Sequence, residues 1–194
     1  MNQVITEFSR NVPYWRPRVT PVDLKDASED QLNALKVTPS NTKVSDYVLT
    51  LAHDAESLKV RTPLFNAIMY NSGGMRRAER ELSALGASVV NHCVYCAAVH
   101  AMRHAQLEKS TEVTDKVFRD GARADLEPRD RAIFDFAVAL SECPSRAEPE
   151  HLEVLKAAGL DEAEVLDLIL SAALFGWANR LMHVLGDPVR HVET

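Results

Sequence analysis

The chain has 194 residues, 46% of them apolar and 26% charged, with a net charge of −6 and three cysteines. Such a length can bury a core without metal or disulfide staples, and an odd, low cysteine count speaks against a secreted disulfide scaffold. Basic residues are too scattered for a nucleic-acid footprint, Met1 to Arg16 lacks a signal-peptide core, and no uninterrupted apolar run approaches the ~18 residues of a membrane span, so a reducing, cytoplasmic setting with neither nucleic acid nor membrane as partner is expected.

Pro13, Pro17 and Pro21 punctuate an extended start, Ser28-Glu29-Asp30-Gln31 can open a short helix into Leu35, and Pro39-Ser40-Asn41 reads as a turn. Residues 1–44 hold too little apolar content to fold alone. They are expected as an N-terminal arm lying across the body or a neighbouring subunit. From Ser45 the signals become helical. Ser45-Asp46 can cap a helix with Val48, Leu49 and Leu51, and Pro63 suits the first turn of another, which Gly73-Gly74 breaks. A third runs from about Arg76 to Val90, and a fourth from about Cys93 to Glu108.

Ser110-Thr111 offers caps for a short helix that Gly121 ends. Pro128 begins a helix with Ile133, Phe134, Ala137, Val138 and Leu140 at spacings of three and four, which Pro144 terminates. Pro149 starts the next, and Gly159 closes it. Asp161-Glu162-Ala163-Glu164 has the form of a capping box before the longest helix, about 162–185, which is apolar nearly all round. Gly186 and Pro188 stop it. Strand signals are weak throughout. The expectation is an all-α protein of seven to nine helices, with a domain over 45–190 built from halves of about 45–110 and 111–190 around one core.

One segment carries chemistry: Asn91-His92-Cys93-Val94-Tyr95-Cys96-Ala97-Ala98-Val99-His100, which contains C-x-x-C-x-x-x-H. If the cysteines begin a helix, they lie one turn apart on one face, within reach of a disulfide. The helix N-terminus favours a thiolate. His100 falls one turn beyond Cys96, placed to donate to its sulfur or to take its proton. A nucleophile, a second thiol and a base are what thiol-dependent peroxide reduction requires: sulfenic acid, then disulfide, then reduction by exchange.

A zinc site using both cysteines with His100 and His104 is the rival. On one continuous helix, however, Cys93 and His104 would be roughly 16 Å apart and Cys93 and His100 roughly 10 Å, whereas zinc donors sit within about 2.3 Å of the metal. The plain alternative is two buried small residues beside a structural histidine. His92 reads as a local polar cap, His104 as part of a solvated flank and Cys143 as an inert packed thiol. Phe134, Phe136, Phe175 and Trp177 read as core.

The wider segment Glu81 to His100, E-x₁₁-C-x-x-C-x-x-x-H, resembles the active-site motif of the alkylhydroperoxidase D-like family within the carboxymuconolactone decarboxylase superfamily. Arg80-Glu81-Leu82, the stretch Leu126 to Ala132 and the stretch Ala173 to Leu181 are similar to that family's peroxidase-related subgroup. The resemblance covers about residues 45–190. It implies an all-α fold, Cys96 as the peroxidatic thiol, Cys93 as the resolving one, and Glu81 with His100 as a proton relay. It also implies a redox-active dithiol/disulfide with no further cofactor and no metal. The implied partners are a small hydroperoxide, a thiol or lipoyl-type reductant protein, and further copies of the chain as a dimer, trimer or hexamer. Some family members carry a histidine between the cysteines, where this chain has Tyr95. Two other readings share the sequence: a non-catalytic redox sensor or disulfide adaptor, and a decarboxylase-like activity that would need no cysteine pair.

Overall fold

The computed structural model describes residues 3–36 and 44–190; the expected turn at Pro39-Ser40-Asn41 lies outside them. Among the described residues there are nine α-helices: α1 (Glu29–Ala34), α2 (Asp46–Leu51), α3 (Ala55–Tyr70), α4 (Arg77–Val90), α5 (Val94–Glu108), α6 (Glu112–Asp120), α7 (Pro128–Ser141), α8 (Pro149–Ala157) and α9 (Glu162–Leu185). The fold is all-α, as its punctuation foretells.

Most helices start where the local chemistry places them. Ser28 and Gln31 form a reciprocal capping box before α1, and Asp161 and Glu164 form another before α9. Ser45 Oγ accepts the Val48 N–H at the head of α2. Pro128 and Pro149 each occupy a first turn. Pro63 does not: α3 begins at Ala55, capped by Asp54, and carries the proline in its interior.

The weak strand signal conceals one short ribbon. Strand β1 (Tyr14–Pro17) pairs antiparallel with β2 (Gly186–Val189), Trp15 opposite Pro188 and Pro17 opposite Gly186. Gly186 is needed there, because a Cβ would come within 2.5 Å of the Trp15 indole.

Helix α4 is the hub, packed by α5, α7 and α9. Its residues from Ala78 to Ser88 are all buried. Leu82 and Leu85 join Ala97 and Ala101 of α5, Ile133, Phe134 and Ala137 of α7, and Leu168 and Ala172 of α9 in one core that draws on both halves of the chain. Each buried Leu, Ile or Phe there contributes about 1.5–3 kcal/mol. Gly86 lets α4 approach α7 closely, since a Cβ would stand 3.0 Å from that of Ala137.

Helix α9 is apolar on both sides, one turned inward and one outward. Leu168, Leu174 and Phe175 are buried, while Leu166, Leu170, Trp177 and Val184 form an exposed stripe at spacings of four and seven. Trp177, expected in the core, is 45% exposed on this stripe. By length and composition α9 could span a bilayer, and half of the qualifying stretch is buried in the fold.

Candidate active site

The site forms where α4 ends and α5 begins. Asn91 caps α4 and donates from Nδ2 to the Ala87 carbonyl at 2.9 Å. His92 takes a left-handed conformation, φ 52°, and turns the chain back. Its exposed ring stacks on Phe8, so it is not the polar cap expected of it. The Cys93 N–H donates to the Ser88 carbonyl at 2.9 Å, and the Cys93 carbonyl accepts from Ala97. Cys93 is thus the N-cap of α5, and Cys96 lies in its first turn. The reversal packs α5 against α4 and brings Glu81 to the dithiol end of α5.

The two sulfurs are buried free thiols 2.8 Å apart, sharing a hydrogen bond. Once Cys93 ionises, its sulfur accepts from Cys96. That hydrogen bond holds the Cys93 thiol below its ordinary value against the opposing effect of burial. The same contact, with burial, pushes Cys96 well above. The first negative charge of the pair therefore belongs on Cys93, nearer the helix end.

His100 Nδ1 lies 2.5 Å from Glu81 Oε2, and its ring meets Phe175 edge-on with centroids 4.0 Å apart. Glu81 is 1% exposed and also pairs with Arg77, one turn earlier on α4. Burial pushes the Glu81 carboxyl up, but His100 and Arg77 outweigh it and hold it below the usual carboxylate range. A carboxylate accepting at Nδ1 leaves the opposite nitrogen, Nε2, as the imidazole's free basic position. Arg77 stacks over Tyr70 at 4.0 Å and also donates to the Met69 carbonyl.

Cys96, His100 and Glu81 line one cavity of about 240 Å³, with Arg61, Tyr47 and Tyr95 on its wall. Cys93 lines another, of about 280 Å³, bounded by His92, Trp15, Arg18 and Met182. The dithiol stands between the two. The four residues singled out from the sequence, Glu81, Cys93, Cys96 and His100, are thus brought together. Two other expectations are overturned. His104 is 2% exposed, not on a solvated flank, because it repeats the His100 position one turn on and shares its buried face. Cys143 is exposed, not packed. Arg77 also belongs to the site, marked in the sequence only by its i, i+4 spacing to Glu81, as do Arg61 and Tyr47, which carry no local signal.

Residues 55–122, from α3 through α6 and the turn after it, match the model of the Carboxymuconolactone decarboxylase family. The chain resembles a peroxidase-related protein with an alkylhydroperoxidase AhpD core from Ralstonia eutropha JMP134. The two are 28% identical over 89% of this chain and 90% of that one, with a TM-score of 0.74. A peroxidase-related protein from Silicibacter sp. TM1040 shares the fold at 22% identity over 88% and 91%, TM-score 0.72. The debrominase Bmp8 does so at 19% identity over 86% and 89%, TM-score 0.72. No curated protein matches the chain.

Proposed function

From a chain that belongs to the alkylhydroperoxidase D-like group of the carboxymuconolactone decarboxylase superfamily, we propose a thiol peroxidase that reduces organic hydroperoxides through Cys96 and Cys93. The observation that carries this reading is the shared cavity: a thiol of raised pKa beside a histidine whose Nδ1 is pinned by an ionised, buried carboxylate. A Cys96 thiol held protonated by its neighbour and by burial needs a base, and His100 Nε2 is the base at hand.

In the first step Cys96 gives its proton to His100 and attacks the terminal peroxide oxygen. The O–O bond breaks, an S–O bond forms, and the leaving alkoxide takes the proton back from His100 as alcohol. Cys96 is oxidised to sulfenic acid. The Cys93 thiolate then attacks the Cys96 sulfur and expels hydroxide, which a proton from solvent converts to water. An external dithiol, entering on the Cys93 side, returns two electrons by exchange. A lipoyl-type or protein thiol reductant fits that role, no metal or other cofactor is required, and the exposed stripe on α9 is offered as the face for self-association.

The test is a pair of variants. Cys96→Ser abolishes peroxide consumption, whereas Cys93→Ser accumulates a sulfenic acid that dimedone traps, read by mass spectrometry. Linear consumption over many equivalents with a dithiol distinguishes an enzyme from a sensor that reacts once. Full turnover by Cys96→Ser, or trapping at Cys93 in place of Cys96, overturns the assignment.

A further inference from the structure

The Cys96 cavity holds more positive charge than the dithiol chemistry uses. Arg61, Arg77 and Arg103 line it against one carboxylate, Glu81, and Arg77 is paired with that carboxylate. Arg61 is the odd one. It projects from α3 over the Phe65 ring at 4.8 Å and the Tyr47 ring at 5.9 Å. Its Nε is buried without a hydrogen-bond partner, and no carboxylate pairs with it among the described residues. Burial lowers its pKa, and the Tyr47 phenol beside it acts in the opposite direction. A half-buried cation without a carboxylate partner is costly, and it faces the cavity that Cys96 lines.

Tyr47 repeats the pattern. Its hydroxyl is buried without a partner, and burial pushes its pKa up to about 12, so it remains a donor. Phe65, Met69 and Phe175 supply apolar wall in the same cavity. Two unspent donors, an apolar wall and a thiol gathered in one cavity suit an amphiphile with an anionic head. A cavity of about 240 Å³ admits a short chain.

We propose that Arg61 and the Tyr47 hydroxyl bind the carboxylate of the substrate, which is a short organic hydroperoxide carrying one carboxylate. A guanidinium takes a carboxylate in a two-pronged, charge-assisted pair that a neutral ester cannot reproduce. This deepens the peroxidase reading and rests on it. Arg61 sets selectivity and takes no part in the proton transfers.

The test uses the full reduced chain and two probes, hexanoate and methyl hexanoate, followed by calorimetry. Neither is a peroxide, so the measurement does not depend on turnover. Hexanoate is expected to bind at least tenfold more tightly than the ester, and Arg61→Gln to lose at least tenfold in hexanoate affinity. Arg61→Lys, which keeps the charge without the fork, falls between. A parallel assay compares kcat/KM for a hydroperoxyhexanoic acid and its methyl ester; the acid-to-ester ratio is expected to fall at least tenfold in Arg61→Gln. Equal affinity of the wild-type chain for acid and ester overturns the proposal even if Arg61→Gln fails to fold, and so does a folded Arg61→Gln that keeps the preference. Should neither hydroperoxide be consumed while hexanoate is still selected through Arg61, the peroxidase reading fails and the anion site stands.

Discussion

Two glutamates two residues apart on α4 have the same burial and opposite surroundings. Glu79 and Glu81 are each 1% exposed. Glu79 meets only permanent cations: Arg76 one turn back and Arg129 of α7, which also reaches Glu164 of α9 and the Gly159 carbonyl. Glu81 meets one arginine and one histidine, and lines a cavity that Cys96 shares. A carboxylate saturated by arginines cannot change its state near neutrality and clamps helices together. A carboxylate whose partner is an imidazole beside a thiol can help move a proton. Burial alone does not distinguish a clamp from a relay; the titratability of the partner does.

Substitution at either glutamate separates the two roles. Glu81→Gln and His100→Gln are each expected to lower the rate of sulfenic acid formation by about 10²–10⁴, the usual worth of a general acid–base group, in stopped-flow peroxide assays. Glu79→Gln should leave that rate within a factor of a few and instead cost about 2–4 kcal/mol in chemical denaturation. That is the cost of a buried ion pair left one partner short, discounted because Arg76 and Arg129 keep access to water. Equal loss of rate in both variants would erase the distinction.

Acid titration sharpens it with a smaller effect. Against burial, which raises them, ion pairing holds both carboxyls below the ordinary 4.5 of glutamate. A depressed acid stabilises the fold fully above its unfolded-state value and loses that contribution as pH falls through its folded-state value. Stability should therefore hold from about pH 7 to about pH 5 and decline below about 4.5. Each Gln variant should decline less steeply over that limb, in melts followed by circular dichroism.

What could be read from sequence was what is local. Capping boxes at Ser28 and Asp161, prolines 128 and 149 in first turns, and the spacing of Cys93, Cys96 and His100 each act within a turn or two of themselves. Gly121 and Gly159 end their segments at positive φ, as punctuation predicts. What stayed hidden depends on partners far along the chain. Glu79, Arg80 and Glu81 look like a solvated run. All three are buried because Arg129 is 50 residues from Glu79, Asp167 is 87 from Arg80, and His100 is 19 from Glu81. The β1–β2 ribbon joins positions as distant as Arg16 and Asp187. Arg61 carries no local mark at all; its cavity exists only once α2, α3, α5 and α9 are assembled.

Trp15 gives this arrangement an optical consequence. The β1 strand lays its indole, 5% exposed, in the cluster of Cys93, Cys96 and Met182, while the second tryptophan, Trp177, stands in solvent. Sulfur oxidation state alters indole fluorescence at short range, since a disulfide accepts an electron from the excited ring more readily than a thiol does. The chain therefore carries its own emissive gauge of the redox pair, a blue-shifted signal that dims on oxidation.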